Sequence, residues 1–372
     1  MIYLDNAATT PLSERAAKEQ VLWACERFYN PSATYVQATK VAFALTEARG
    51  RLKKLLGVKD GEIIFTSGAT EANNLAIRGS VREGKWEYVF SSAEHASVDN
   101  LAKALEREGR EVKFVPIKKT GEVDLEKLEE VLNEKTRLVS CMFVNNVTGA
   151  VNDVAAIAKI IRKKAPKAIF HVDGVQAFCK LPFKLSNLDV DAFSLSAHKF
   201  HGPKGVGALY IKNKAGLKNQ VYGGGQEFGI RSGTENVPGI MAMLTAAEEL
   251  DVKGRLEKAE LLKQAFLSEL EGAGIELVKT NRSSPYIATF IFSGVNGETL
   301  VRMLENDVIV GRGSACSAKK SGNHVLEAMG YNLDQIKGAI RVSFDAALSE
   351  QEVRDAAKIV KQKYYELVEK LK

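Results

Sequence analysis

Residues 63–71 read Ile63-Ile64-Phe65-Thr66-Ser67-Gly68-Ala69-Thr70-Glu71. An apolar β-type run ends, a small-residue turn follows, and a helical pattern opens at about residue 70. The same grammar recurs along the chain. Tyr88-Val89-Phe90, Phe114-Val115, Leu138 to Val144, Ile169 to Val172, Phe193-Ser194-Leu195 and Ala208 to Ile211 read as short buried strands. Helical periodicity fills 70–79, 96–108, 124–134 and 152–165. Strands alternating with helices predict an α/β fold with a mainly parallel sheet, helices on both faces and ligands beyond the carboxyl ends of the strands. From about 235 to 272 the pattern predicts one long charged helix broken near Gly254. A second strand-and-helix set follows Pro285, with strands at Ile287 to Phe292, Val308 to Val310 and Ala339 to Phe344, and a last helix from about 349. The expected division is a large domain over 13–250 and a small one over 1–12 and 251–372.

Composition narrows the class. The chain has 372 residues, 45% hydrophobic and 26% charged, enough for a large core without staples. Its 52 Lys+Arg against 46 Asp+Glu leave +6, too mild to argue for nucleic acid without a clustered basic face. The Lys-rich C-terminal helix reads as a solvated face. No apolar run approaches a membrane span. Met1 to Asn6 resembles no export signal, so the expected compartment is the cytoplasm with free thiols. Cys25, Cys141, Cys179 and Cys316 are too far apart for a zinc or dithiol motif, and no metal site is expected.

Four segments carry chemistry. The turn at Ser67 to Thr70 can cradle a phosphate on helix N–H groups, or be an ordinary helix start. It is no Walker loop. Asp173, ending the strand His171-Val172-Asp173, is a carboxylate that needs a cationic partner, such as a protonated heterocycle, or else caps the next helix. Lys199, in Ser196-Ala197-His198-Lys199 and ahead of a glycine-rich turn, fits a Schiff-base lysine, though loop lysines are usually solvated. His171 and His201 read as packed structural residues. Cys316 lies in the polar small-residue loop Gly313-Ser314-Ala315-Cys316-Ser317, where Arg312, Lys319 and Lys320 would favour a thiolate. Cys25, Cys141 and Cys179 read as inert buried thiols.

These segments, with Tyr3 to Thr10, Asn30-Pro31-Ser32, Glu94-His95, Val144-Asn145-Asn146, Gly223 to Glu227, Arg231 to Asn236 and Ile340 to Ser343, run in one order. In that order the chain resembles pyridoxal 5'-phosphate enzymes of the class V aminotransferase group, and among them cysteine desulfurases of the NifS/IscS type. The resemblance implies transferase fold type I. It implies that Lys199 anchors the cofactor, Asp173 pairs with its ring nitrogen, and Gln176 and Asn146 bond its phenolic oxygen side. His95 would stack on the ring and serve proton transfer. Ala69, Thr70, Ser196 and His198 would hold the phosphate, and Thr234 would reach the phosphate of the other subunit of a homodimer. Arg341, Asn6 and Ala7 would bind the carboxylate end of L-cysteine, and Cys316 would take its sulfur as a persulfide. The sulfur would pass to an acceptor protein, such as an iron–sulfur scaffold or a tRNA-thiolation protein. The rivals are a selenocysteine lyase, an aminotransferase of the same cofactor family, and a non-catalytic scaffold. The pattern departs from the family at Tyr35, Ala38, Val147, Phe228 and Phe344-Asp345.

Overall fold

The computed structural model describes residues 1–213, 216–312 and 323–371. The Cys316 loop lies outside them. The chain opens with β1 (Ile2–Leu4), α1 (Glu14–Cys25) and α2 (Val36–Leu56). Then come β2 (Glu62–Thr66), α3 (Ala69–Ser80), β3 (Glu87–Ser91), α4 (Ala96–Arg107), β4 (Glu111–Val115), α5 (Leu125–Val131), β5 (Thr136–Met142), α6 (Val154–Lys164), β6 (Ile169–Asp173), β7 (Ala192–Ser196) and β8 (Gly207–Ile211). Strands β2 to β8 form one seven-stranded sheet in the order β2-β8-β7-β6-β5-β3-β4. Only β8 runs against its neighbours. The central strands are apolar on both faces because helices cover both. Tyr88, Phe90, Phe170 and Phe193 have essentially no exposure.

The expected helix over 235–272 is instead two helices, α7 (Val237–Glu248) and α8 (Val252–Leu270). They part at Glu249 to Asp251, ahead of Gly254. The cause is Asp251, whose carboxylate caps α8 by accepting the Gly254 N–H at 3.2 Å. Gly254 belongs to that cap, since a Cβ there would collide with the carboxylate. Nor is α7 charged: nine of its residues are buried, and it lies against α1. Two further helices, α1 and α2, have no counterpart in the sequence expectations.

Beyond α8 lie β9 (Ile275–Leu277), β10 (Ile287–Phe292), α9 (Gly297–Leu304), β11 (Val308–Val310), α10 (His324–Ala328), α11 (Leu333–Lys337), β12 (Ala339–Ser343) and α12 (Glu350–Leu371). β12, β10 and β9 make an antiparallel sheet, and β1 pairs in parallel with β11. The N-terminal strand thus joins the C-terminal elements. Leu4 shares a second core with Phe266, Phe290, Phe344 and Val353. The Phe266 ring meets Phe290 at 5.5 Å and Phe344 at 5.7 Å, each pair adding about 0.5–1.5 kcal/mol beyond the area buried.

Asp345 clasps the two cores together. It accepts from Arg255 on α8 at 3.0 Å and pairs with His201, beyond β7, at 2.8 Å. Burial alone would raise its pKa. The bonds from His201 and the Arg255 charge outweigh burial and hold the carboxyl well below the usual carboxylate range. A carboxyl depressed in the folded state stabilises above its unfolded pKa of about 3.9, and that stability drains away as pH falls below it. Asp345→Asn is therefore expected to cost about 3 kcal/mol at neutral pH, because it breaks a buried pair. Urea unfolding of both proteins should show that gap narrowing as the pH is lowered to about 3. A gap independent of pH would show that the carboxylate charge is not what matters.

Candidate active site

The carboxyl ends of β2, β3, β5, β6 and β7 open on a cavity of about 750 Å³. Lys199 stands in the short turn after β7. Its half-buried Nζ donates to the carbonyls of Ala7 at 2.8 Å and Ala8 at 2.6 Å. The N-terminal loop thus forms one wall of the cavity and holds the amine from that side.

Asp173 ends β6 and is 4% exposed. Its oxygens accept from the Asn73 amide at 2.9 Å and the Val175 N–H at 3.1 Å. Both donors are neutral, so among the described residues a buried carboxylate faces the cavity with no cation bonded to it.

The phosphate-type feature is the start of α3. Gly68 precedes it with φ 152° and ψ 179°, a conformation open to glycine alone, and no side chain among the described residues caps the helix. The N–H groups of the first turn are left for a ligand. Gly207 on β8 lets this turn close down: a Cβ there would lie 2.8 Å from Gly68 Cα. Ala69, Thr70, Ser196 and His198 line the cavity here, joined by Lys204, which the sequence reading passed over. His198 bonds Thr9 Oγ1 at 3.1 Å. Burial and the charges of Lys199, Lys204 and Lys180 pull its pKa down to about 4, so its ring is neutral.

His95 caps α4 through its ring: Nδ1 accepts the Ser97 N–H at 3.2 Å and lies 2.9 Å from Ser97 Oγ. An accepting Nδ1 puts the proton of the neutral ring on Nε2. Burial lowers the pKa and agrees with that neutral form. The bonds run on from Ser97 through Asn73 to Asp173. Glu94, next to His95, was missed as a site residue. It is 1% exposed, accepts the Met142 N–H at 2.7 Å, and lines the cavity. Burial first and the Asp173 charge second push its pKa up to about 8, so it is uncharged at neutral pH. The sequence signal was its place beside His95.

Arg341, on β12, closes the far wall. Its guanidinium donates to the Asn146 carbonyl at 2.8 Å and to Asp5 at 2.7 Å, and its buried Nε has no partner among the described residues. The neighbouring asparagines divide their roles. Asn145 is tied into its own loop through Val147, Thr148 and the Ala93 carbonyl, while Asn146 and Gln176 line the cavity.

Two expected residues lie apart. Asn6 sits behind Ala7, its amide spent on the carbonyls of Ser343 and Tyr3, and it is not on the cavity wall. Thr234 is exposed and not on this chain's cavity. Cys141 and Cys179 are buried, and burial raises both thiols well above their ordinary value. Cys25 is a correction: it is exposed. α1 buries Ala16 and Trp23, and Cys25 falls off that face at the last turn. Arg312, one cation flanking the Cys316 loop, is paired with Glu298 at 3.1 Å.

An open helix N-terminus, a buried carboxylate awaiting a cation and a held amine form a donor set that fits a phosphorylated, protonated pyridine aldehyde. Known proteins agree. The pattern of the aminotransferase class-V family matches residues 2–355. The chain is 37% identical over 384 residues to cysteine desulfurase IscS of Neisseria meningitidis, covering 99% of this chain and 93% of that one. It is 37% identical to cysteine desulfurase 2 of Trichormus variabilis, covering 95% and 90%. A solved NifS-like protein superposes with a TM-score of 0.91 at 35% identity, over 97% of this chain and 98% of that one. Another, SspA in complex with cysteine, gives 0.83 at 30% identity, over 93% and 99%. With one family's pattern spanning nearly the whole chain and relatives matched almost end to end, this chain belongs to the class-V aminotransferase family, whose cofactor is pyridoxal 5'-phosphate.

Proposed function

We propose that this chain is a pyridoxal-phosphate-dependent cysteine desulfurase, converting L-cysteine to L-alanine and holding the sulfur as a persulfide on Cys316. The observation that carries the reading is the meeting, in one cavity, of the Lys199 amine, the cation-free Asp173 carboxylate and the uncapped start of α3. The cofactor, when bound, supplies an electron sink for the bonds at the substrate's α-carbon.

The residues then divide the work. Ala69, Thr70, Ser196 and His198 hold the phosphate, and Asp173 holds the ring nitrogen protonated. His95 offers a neutral ring face. Arg341 binds the substrate carboxylate, since its fork matches two oxygens. Lys199 takes the Cα proton and later returns one. The Cys316 thiolate attacks the substrate sulfur: an S–S bond forms, the Cβ–S bond breaks, and its electron pair stays with Cβ, which is protonated to give alanine. The departing sulfur ends as the outer atom of the Cys316 persulfide, ready for an acceptor protein.

Thr234, exposed and away from this chain's cavity, is read as serving a second copy, so the working unit is a homodimer. The chain is read as a large cofactor-binding domain over 13–250 and a small domain over 1–12 and 251–372. Among the described residues no helix is long and apolar enough to cross a membrane, and the cytoplasm is the proposed compartment.

The test is reconstitution with pyridoxal phosphate followed by L-cysteine and a thiol reductant. Alanine and sulfide should appear in equal amounts. Cofactor uptake with transamination products in place of sulfide would overturn the assignment.

A further inference from the structure

Lys180 is a buried amine that the reaction above leaves unused. It is 7% exposed, a burial lysines rarely reach unpaired. Among the described residues no carboxylate bonds it. Its Nζ donates to Gln176 Oε1 at 2.7 Å and lies 5.9 Å from the Tyr286 ring centre. Three further cations, Lys199, Arg341 and Arg255, act on it, against one carboxylate, Asp345. Burial is the main influence that pulls its pKa down to about 7. The backbone is unusual at the same point: Cys179, a non-glycine residue, takes a left-handed φ of 61° just before Lys180. A left-handed residue leading into a buried amine that has no ion-pair partner among the described residues calls for a functional reason.

The hydrogen bonds supply one. A glutamine amide has two ends of nearly equal shape, one accepting and one donating, and can sit either way round. Protonated Lys180 has only N–H groups to present and no lone pair to accept with, so the amide oxygen faces it. The NH₂ end is then turned to the Ala7 carbonyl, which it meets at 2.9 Å. That same carbonyl receives Lys199 Nζ at 2.8 Å. From the other side, the Ala7 N–H is held by Ser343 Oγ at 2.9 Å. Reversing the amide would set two oxygens face to face and take away one of the two bonds that fix the Ala7 carbonyl.

We propose that Lys180 is a positioning residue for the Lys199 amine, acting through Gln176 and the Ala7 carbonyl by locking the amide with its NH₂ end toward the cavity. The role of Lys199 itself rests on the desulfurase reading; the three-residue chain of bonds does not.

Competitive acylation of the cofactor-free, full-length protein with trace acetic anhydride tests it, with the Lys199 peptide quantified by mass spectrometry. Lys180→Met removes the donor while keeping length. It should change the Lys199 labelling rate by about fivefold, the size of one lost hydrogen bond, and leave exposed Lys253 unchanged. Lys180→Arg, which can only donate, should restore the wild-type rate. In a Gln176→Ala background Lys180→Met should add nothing. Gln176→Glu, which keeps the acceptor for Lys180 but cannot donate to Ala7 when ionised, should reproduce the Lys180→Met effect and serves if that variant does not fold. A Lys199 rate within twofold of wild type in both Lys180→Met and Gln176→Glu would overturn the proposal. So would an undiminished Lys180 effect without Gln176. Pyridoxal phosphate uptake by the wild-type chain is measured alongside. Its failure would count against the desulfurase reading, while the labelling result would stand.

Discussion

Lys199→Ala is expected to lower alanine formation from L-cysteine by about 10³-fold or more, the scale seen when an enzyme loses a group that acts in concert with others. The loss should fall in turnover. The groups that would grip the phosphate and ring at the start of α3 and at Asp173 lie on other strand ends, and His198, beside Lys199, is held by Thr9 Oγ1. The fold should tolerate the change. Lys199 is half-buried, and the carbonyls of Ala7 and Ala8 that it leaves border the cavity, so the cost is about 1–2 kcal/mol. Borohydride reduction of the wild-type holoenzyme should fix the cofactor to the Lys199 peptide. Two other amines lie close: Lys204 lines the cavity, and Lys180 has a lowered pKa. A label on either would show that Lys199 has been given the wrong role.

Cys316→Ala is expected to leave cofactor uptake intact and cut alanine and sulfide production by about 10²-fold or more, because a methyl group cannot attack sulfur. The other cysteines make the comparison sharp. Cys141 and Cys179 are buried, and burial keeps their thiols protonated at neutral pH. Cys25 is exposed on α1 but lies off the cavity. Each changed singly to alanine should keep its activity, the buried two losing about 1 kcal/mol of stability. Assays of the four variants side by side check this. Equal activity in all four would remove the thiol from the reaction.

Much of the fold was legible because its signals are local. Each central strand is a short apolar run, and the residue that ends it carries the chemistry. Asp173 closes β6, Ser196 closes β7, and Ser67 to Thr70 follow β2. Proximity in sequence to a strand end translated directly into proximity to the cavity. What was not legible depends on distant partners. Asn6 and Ala7 are neighbours, yet Ser343, more than 330 residues away, turns one inward and leaves the other on the wall. Asp345 gave no sign of being a clasp, since Arg255 and His201 come from separate parts of the chain. The boundary between α7 and α8 was misplaced because Gly254 looks like a breaker, while Asp251, three residues earlier, does the capping. Glu94 was overlooked because its neutral state follows from burial beside Asp173. The pairing of Lys180 with Gln176 spans one turn, but a lysine is ordinarily solvated, and nothing local marked this one as buried beside a left-handed Cys179.

The most direct measurement is the mass of the Cys316 peptide after the reconstituted enzyme has met L-cysteine without reductant. The account predicts the addition of one sulfur atom on Cys316 alone, reversed by a thiol reductant, with about one alanine released per sulfur bound, as a persulfide requires. Alanine released with Cys316 unmodified and sulfide free from the first turnover would contradict it.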